Sequence, residues 1–209
     1  MEINVLHLGE LGTNCYIFRQ DGSAKCGIID PGGQGEQAAE WLKGQGLEPE
    51  AILLTHGHFD HILGIPGLRG TWPDLPVYCH PADVGKGETT DLFGQRFPTV
   101  SSFGNVTPYR EGDAVTVAGV ELDVLETPGH TPGSVTLRAG DVLFTGDTLF
   151  AGSMGRTDFE GGDGKAMMAS LRRLAELEGD YRVLPGHEEQ TTLERERQTN
   201  DCLRTAMRL

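Results

Sequence analysis

Three imidazoles and a carboxylate fall within the six residues His56-Gly57-His58-Phe59-Asp60-His61, directly after the apolar run Ala51-Ile52-Leu53-Leu54. Imidazole nitrogen and carboxylate oxygen are ligands for zinc, iron or manganese, so this density of donors points to metal chemistry and selects a class of ions, not one ion. The run 51–54 reads as a short buried strand, and Gly57 lets the chain turn tightly so that side chains fan out from a strand end. The spacing differs from that of His-Glu-x-x-His, whose imidazoles share a helix face. His56 and His58 are two apart, as an extended segment or turn requires.

Three further donors sit in similar settings. His130 lies in Thr127-Pro128-Gly129-His130-Thr131-Pro132-Gly133-Ser134, His187 follows Leu184-Pro185-Gly186, and Asp147 follows Phe144-Thr145-Gly146. Each comes just after an apolar strand-like run and is preceded by glycine, a layout that converges ligands at one edge of a sheet. Seven donors are too many for one tetrahedral ion and suit two ions that share a carboxylate. His7 and His80 are left with structural roles. The four cysteines, Cys15, Cys26, Cys79 and Cys202, form no Cys-x-x-Cys pair and read as reduced and structural.

The elements that must position these donors are legible in outline. Ile3–Leu8, Asn14–Arg19 and Gly27–Asp30 form strand-like runs parted by glycine-containing turns, as in an antiparallel meander. A helix over Glu36–Gln45 ends at Gly44 and Gly46. After the histidines comes a short helical segment, Ile62 to Leu68, interrupted by Pro66, and then the strand Val77–Cys79. Residues 85–110, with Phe93, Phe97, Phe103 and Tyr109, have the composition of a loop or short helix that covers a pocket. Strands resume at Val115–Val117, Val120–Leu125, Val135–Leu137 and Val142–Phe144. A helix over Lys165–Glu178 follows, with Met167 and Met168 as core filler, then a last strand at Tyr181–Leu184. The charged tail 192–209 reads as one closing helix. Two successive halves that mix strands and helices predict an α/β (α+β) fold, a four-layer αββα sandwich of two mixed sheets flanked by helices, spanning 1–209 as one domain.

Composition sets outer bounds. A formal net charge of −14 over 209 residues opposes binding to a phosphate backbone, and no basic patch offsets it. The start, Met1-Glu2-Ile3-Asn4-Val5-Leu6-His7, lacks the basic and apolar regions of a secretory signal, and no stretch approaches a membrane span. The expectation is a cytoplasmic protein with no nucleic-acid or membrane partner.

From Asp30 to His187 these segments resemble the metallo-β-lactamase superfamily, and its glyoxalase II-like branch, the hydroxyacylglutathione hydrolases. The superfamily likeness is carried by His56-x-His58-x-Asp60-His61, His130, Asp147 and His187 in that order. The branch likeness rests on Gly146-Asp147-Thr148-Leu149-Phe150, Gly155-Arg156-Thr157-Asp158-Phe159, and Thr191-Thr192-Leu193 with Asn200. The resemblance implies the metallo-β-lactamase fold, one divalent ion on His56, His58 and His130, a second on Asp60, His61 and His187, and Asp147 as the bridge. Zinc is the first expectation, with iron and manganese as alternatives. It further implies that Asp30 supports the ligands from behind, that Asp60 and Asp147 act in catalysis, and that Arg156 contacts the substrate.

The activity implied is hydrolysis of a small-molecule thioester, S-lactoylglutathione or a related hydroxyacylglutathione, by hydroxide held at a two-metal site. Two divalent ions, two carboxylates and one hydroxide sum to about +1, which admits an anionic acyl group. A persulfide dioxygenase with one iron and a lactonase are the competing enzymes, and a metal-stabilised binding module is the non-enzyme reading. A β-lactamase is disfavoured because His61 replaces the arginine common in that motif and no cysteine ligand is present. The chain ends soon after His187, whereas longer glyoxalase II enzymes continue into a helical domain, and Asp158 stands where many carry an aromatic residue.

Overall fold

Burial of alternate residues on both faces of the central strands sets the layers. In the computed structural model, which describes every residue except Lys86, Phe93 and Asn105, Cys15 and Ile17 face one core while Tyr16 and Phe18 face another. Ile52 and Leu54 likewise part from Ala51 and Leu53, and Leu143 and Val183 part from Phe144 and Leu184. Since side chains alternate across a strand, a strand that is apolar throughout must be covered on both sides.

The chain runs β1 (Glu2–Leu8), β2 (Thr13–Arg19), β3 (Lys25–Ile29), α1 (Gly35–Gly44), β4 (Glu48–Leu53), α2 (Phe59–Ile62), α3 (Ile65–Thr71) and β5 (Val77–Cys79). A 3-10 turn over Pro81–Asp83 leads to the hairpin β6 (Thr89–Leu92) and β7 (Gln95–Pro98), a second 3-10 turn at Val100–Phe103, and β8 (Val106–Pro108). The second half is β9 (Ala114–Val117), β10 (Val120–Glu126), β11 (Val135–Ala139), β12 (Val142–Gly146), the small hairpin β13 (Leu149–Phe150) and β14 (Ser153–Met154), α4 (Gly164–Ala175), β15 (Arg182–Pro185), β16 (Thr191–Thr192), α5 (Leu193–Thr199) and α6 (Asp201–Ala206).

One six-stranded sheet has the order β1-β2-β3-β4-β5-β8, and the other has β16-β15-β12-β11-β10-β9. Both are mixed: β3, β4, β5 and β8 pair in parallel, as do β12 and β15, and the remaining pairs are antiparallel. Tyr16, Phe18, Leu53, Leu122, Leu137 and Phe144 fill the space between the sheets. Leu42, Ile62, Ile65 and Leu68 pack helices on the outside of the first sheet, and Met167, Leu171, Leu174 and Leu203 do so on the second. The result is the αββα sandwich expected from the sequence.

Several local expectations need correction. Pro66 does not interrupt a helix; it occupies the first turn of α3, where its missing N–H costs nothing. The tail is two helices, not one, because Asn200 leaves the helical region and its side chain caps α6 by accepting from the N–H groups of Cys202 and Leu203. Residues 85–110 contribute a hairpin and an edge strand besides a short 3-10 helix. Phe97 stacks on Phe59 at 4.0 Å, Tyr109 is buried between the sheets, Phe103 packs against the first outer core, and Phe93 lies outside the described residues. No helix among the described residues is long and apolar enough to cross a membrane.

Candidate metal centre

All seven predicted donors meet at one end of the sandwich. His56 and His58 follow β4, with His58 still extended at φ −68 and ψ 149 as the residue before α2. Asp60 and His61 lie in α2 itself, so half of the motif is helical where a loop was expected. His130 follows β10, Asp147 follows β12 and His187 follows β15. Gly57 keeps an ordinary φ, so the tight turn expected of it is not the reason for a glycine there. Gly186 is required for space: a Cβ would stand 2.3 Å from Asp147 Oδ1 and 2.7 Å from His61 Cε1.

Two triads of the predicted donors, His56–His58–His130 and Asp60–His61–His187, each have their ligand atoms within 4.8 Å of one another, as does a third group, Asp30–His56–His61, that joins them. In the second, His61 Nε2 lies 3.3 Å from His187 Nε2 and 3.7 Å from Asp60 Oδ2, and His187 Nε2 lies 3.2 Å from Asp60 Oδ2. Tetrahedral ligands ~2.0–2.1 Å from an ion stand about 3.3 Å apart, so this triad has the spacing of a coordination shell. Asp147 sits between the triads. Its Oδ1 is 3.4 Å from His61 Nε2, and its Oδ2 is 3.5 Å from His130 Nε2 and 3.7 Å from His187 Nε2.

Partners behind the rings aim the lone pairs inward. His61 Nδ1 donates to Asp30 Oδ2 at 3.0 Å and His130 Nδ1 donates to the Arg156 carbonyl at 2.7 Å, which turns each Nε2 toward the cluster. Asp30 is 1% exposed, adopts a left-handed φ of 50° and also accepts the N–H and hydroxyl of Thr55. It therefore stands where a supporting residue was expected, and its strained backbone is held by these bonds. His56 Nε2 and Asp147 Oδ1 are buried and take part in no hydrogen bond. Buried polar atoms rarely lack partners, and inward lone pairs without donors are what a cation satisfies. His58 Nδ1 and His130 Nε2 approach to 2.8 Å, a distance that needs either a shared proton or an ion. The residues fit a divalent metal site.

Charge divides along the same line. Burial holds His56 well below the usual imidazole range and lowers His58 to about 4, with neighbouring imidazoles adding to the effect. At the other triad burial opposes charge as well, yet Asp147, Asp60 and Asp30 push His61 well above its ordinary value, and Asp60 and Asp147 raise His187. Against their own burial, Asp60 and Asp147 are held low, chiefly by His61. His56 and His58 thus disfavour a positive charge, whereas the carboxylates around His61 and His187 demand one.

A cavity of about 520 Å³ opens onto the donors, walled by Leu11, Phe59, Phe150, Met154 and Phe159, with Arg156 and Glu188 among its polar lining. The Arg156 guanidinium donates to both Asp158 oxygens, at 2.7 and 2.8 Å, and lies 3.7 Å from the Phe159 ring centroid. The pair is exposed, and such pairs are held weakly. Phe59, Phe150 and Glu188 line the cavity with no signal of that role in the sequence, because apolar wall residues look like core residues and a lone glutamate carries no spacing signal. His7 is exposed and His80 is tied to Glu126 at 3.0 Å, so neither joins the donors. The cysteines are free, and burial pushes the Cys26 thiol up to about 12 and Cys79 well above its usual range.

Residues 8–187 match the model of the metallo-beta-lactamase superfamily, and the chain belongs to that superfamily. Hydroxyacylglutathione hydrolase GloC of Haemophilus influenzae is 32% identical over 212 residues, covering 97% of this chain and 98% of its own. Among solved structures, the B3 metallo-beta-lactamase BLEG-1 has a TM-score of 0.87 at 35% identity, over 97% of this chain and 99% of that one. TTHA1623, solved in a di-iron-bound form, has a TM-score of 0.83 at 40% identity, over 95% of this chain and 98% of that one.

Proposed function

We propose that this protein is a two-metal hydrolase that cleaves the thioester of S-lactoylglutathione or a related hydroxyacylglutathione. The observation that carries the two-ion reading is the place of Asp147, whose carboxylate lies 3.4–3.7 Å from donors of both triads. His56, His58 and His130 would hold one ion and Asp60, His61 and His187 the other, with the Asp147 carboxylate placed to serve both. Zinc, iron and manganese all suit this donor set, and its imidazole content suits zinc and iron alike; TTHA1623 was solved in a di-iron-bound form. When bound, such ions lower the pKa of water and polarise a carbonyl.

The remaining work falls to the chain. Asp60, 13% exposed, faces the cavity and accepts a hydrogen bond from the attacking water, while Asp147 keeps the two halves of the site in register. Phe59, Phe150 and Phe159 exclude bulk water and enclose the acyl arm. Arg156 exchanges Asp158 for a carboxylate of the glutathione moiety, to which a planar guanidinium is well matched. A thiolate leaves without a proton from the enzyme, so no dedicated acid is needed at the sulfur side. The thioester is supported by the likeness to GloC, and no nucleic acid or membrane enters this reading.

The test is a panel of metal-reconstituted protein against S-lactoylglutathione, a lactone and a β-lactam, with an oxygen electrode on glutathione persulfide. Preferred turnover of the thioester without oxygen uptake is expected. Preferred β-lactam turnover, to which the likeness to BLEG-1 gives weight, or oxygen uptake on the persulfide overturns it.

A further inference from the structure

We propose that Asp83 is the positioning residue of the His56–His58–His130 triad, setting that triad's affinity for a divalent ion without touching the ion. The inference rests on the two-ion reading above. Asp83 Oδ2 accepts from the Gly57 N–H at 2.9 Å and from the Thr131 hydroxyl at 2.6 Å, and its Oδ1 accepts from the Gly133 N–H at 2.7 Å. Gly57 is the residue between His56 and His58, and Thr131 is the residue after His130. One carboxylate thus spans the two loops that carry all three imidazoles, through charge-assisted bonds stronger than neutral ones.

The mount is rigid. Asp83 ends the 3-10 turn Pro81–Asp83, its N–H donates to the His80 carbonyl at 2.9 Å, and His80 Nδ1 accepts from the Ala82 N–H at 3.2 Å. His80 is itself fixed through Nε2 to Glu126 at 3.0 Å. On the far side, the Ser134 hydroxyl accepts from the Thr131 N–H at 3.1 Å, so its own proton turns to Thr131 Oγ1 at 2.7 Å and the Thr131 proton to Asp83.

Two glycines are explained by this aspartate. A Cβ on Gly57 would stand 2.3 Å from the Asp83 carbonyl oxygen, and one on Gly133 would stand 2.5 Å from Asp83 Oδ1. Both positions leave room for the clamp to approach. Among the described residues, none of the hydrogen bonds of Asp83 reaches Asp60, His61 or His187, and His61 is instead held from behind by Asp30. The clamp therefore acts on one triad.

The experiment titrates Co2+ into metal-free protein by calorimetry and absorption, comparing Asp83 with Asp83→Asn in two backgrounds. His187→Ala leaves His56–His58–His130 as the complete triad, and His58→Ala leaves Asp60–His61–His187. In the first background Asp83→Asn is expected to weaken Co2+ binding roughly 10- to 100-fold, the usual cost of an outer-shell partner, and in the second by less than about twofold. No loss in the first background, or equal losses in both, overturns the role. If neither background binds Co2+ with Asp83 intact, the two-ion reading has failed and the clamp falls with it. Should Asp83→Asn fail to fold, Thr131→Val removes one donor of the three and carries the same comparison with a smaller shift.

Discussion

The His130 ring donates through Nδ1 to the backbone carbonyl of Arg156 at 2.7 Å, so the segment that lines the cavity also fixes the tautomer of a donor in the first triad. The side chain of Arg156 is free of that duty. Arg156→Ala is expected to leave metal content unchanged and to raise KM for glutathione thioesters more than for small neutral esters, read by steady-state kinetics beside metal analysis. Equal effects on both substrate types would remove its substrate role.

Asp60→Asn is expected to lower the metal content from two ions per chain toward one and to reduce thioester hydrolysis by more than the roughly 100-fold that loss of an outer-shell partner costs. The variant keeps the shape of the side chain but withdraws the charge that His61 and His187 face at 3.7 and 3.2 Å. Full activity in fully loaded Asp60→Asn would contradict the two-metal mechanism.

Acidification should empty the two triads in sequence. His58 is lowered to about 4 and His56 lies well below its ordinary value, so from pH 7.5 to 5.5 both are already neutral and no proton on either ring competes with an ion. His61 and His187 are raised, so below their folded pKa values an ion must displace protons. Affinity at the second triad then falls as pH drops, by about tenfold per pH unit for each displaced proton. Metal content measured after dialysis at successive pH values is expected to pass through a one-ion plateau; simultaneous loss of both ions would refute the split.

Glu196 is fully buried in α5 and accepts from the Gly152 N–H at 2.7 Å, the Thr191 hydroxyl at 2.7 Å and the Asn200 amide at 2.9 Å. Asn200 also donates to the Ser153 carbonyl at 2.9 Å, so the closing helices hold the hairpin that carries Phe150 and Met154 into the cavity wall. Glu196→Ala leaves these donors unpaired and is expected to cost roughly 2–4 kcal/mol in urea unfolding, with Glu196→Gln costing less. A rise in KM should accompany the loss. Unchanged stability would show that the network carries no load.

The Glu196 network marks where legibility ended. Charged residues from 192 to 209 have one helical composition, and nothing local signals that Asn200 will leave the helix to bond a hairpin 47 residues earlier. Asp83 was equally silent, because an aspartate in a turn after His80-Pro81 carries no mark of the loops it reaches at Gly57, Thr131 and Gly133. The edge strand Val106–Pro108 was missed because its pairing with β5, not its composition, makes it a strand.

Imidazole spacing, glycine placement and apolar strand runs are local properties of the chain, so the candidate donors, the layers and the strand ends that carry them are legible in it. Which donors face which is a matter of packing, because His58 meets His130 across 72 residues and His61 meets His187 across 126. Local sequence constrains each strand end. The pairing of ends, the place of Asp147 between the triads and the burial that separates neutral from charged imidazoles arise only when the two sheets pack and exclude water.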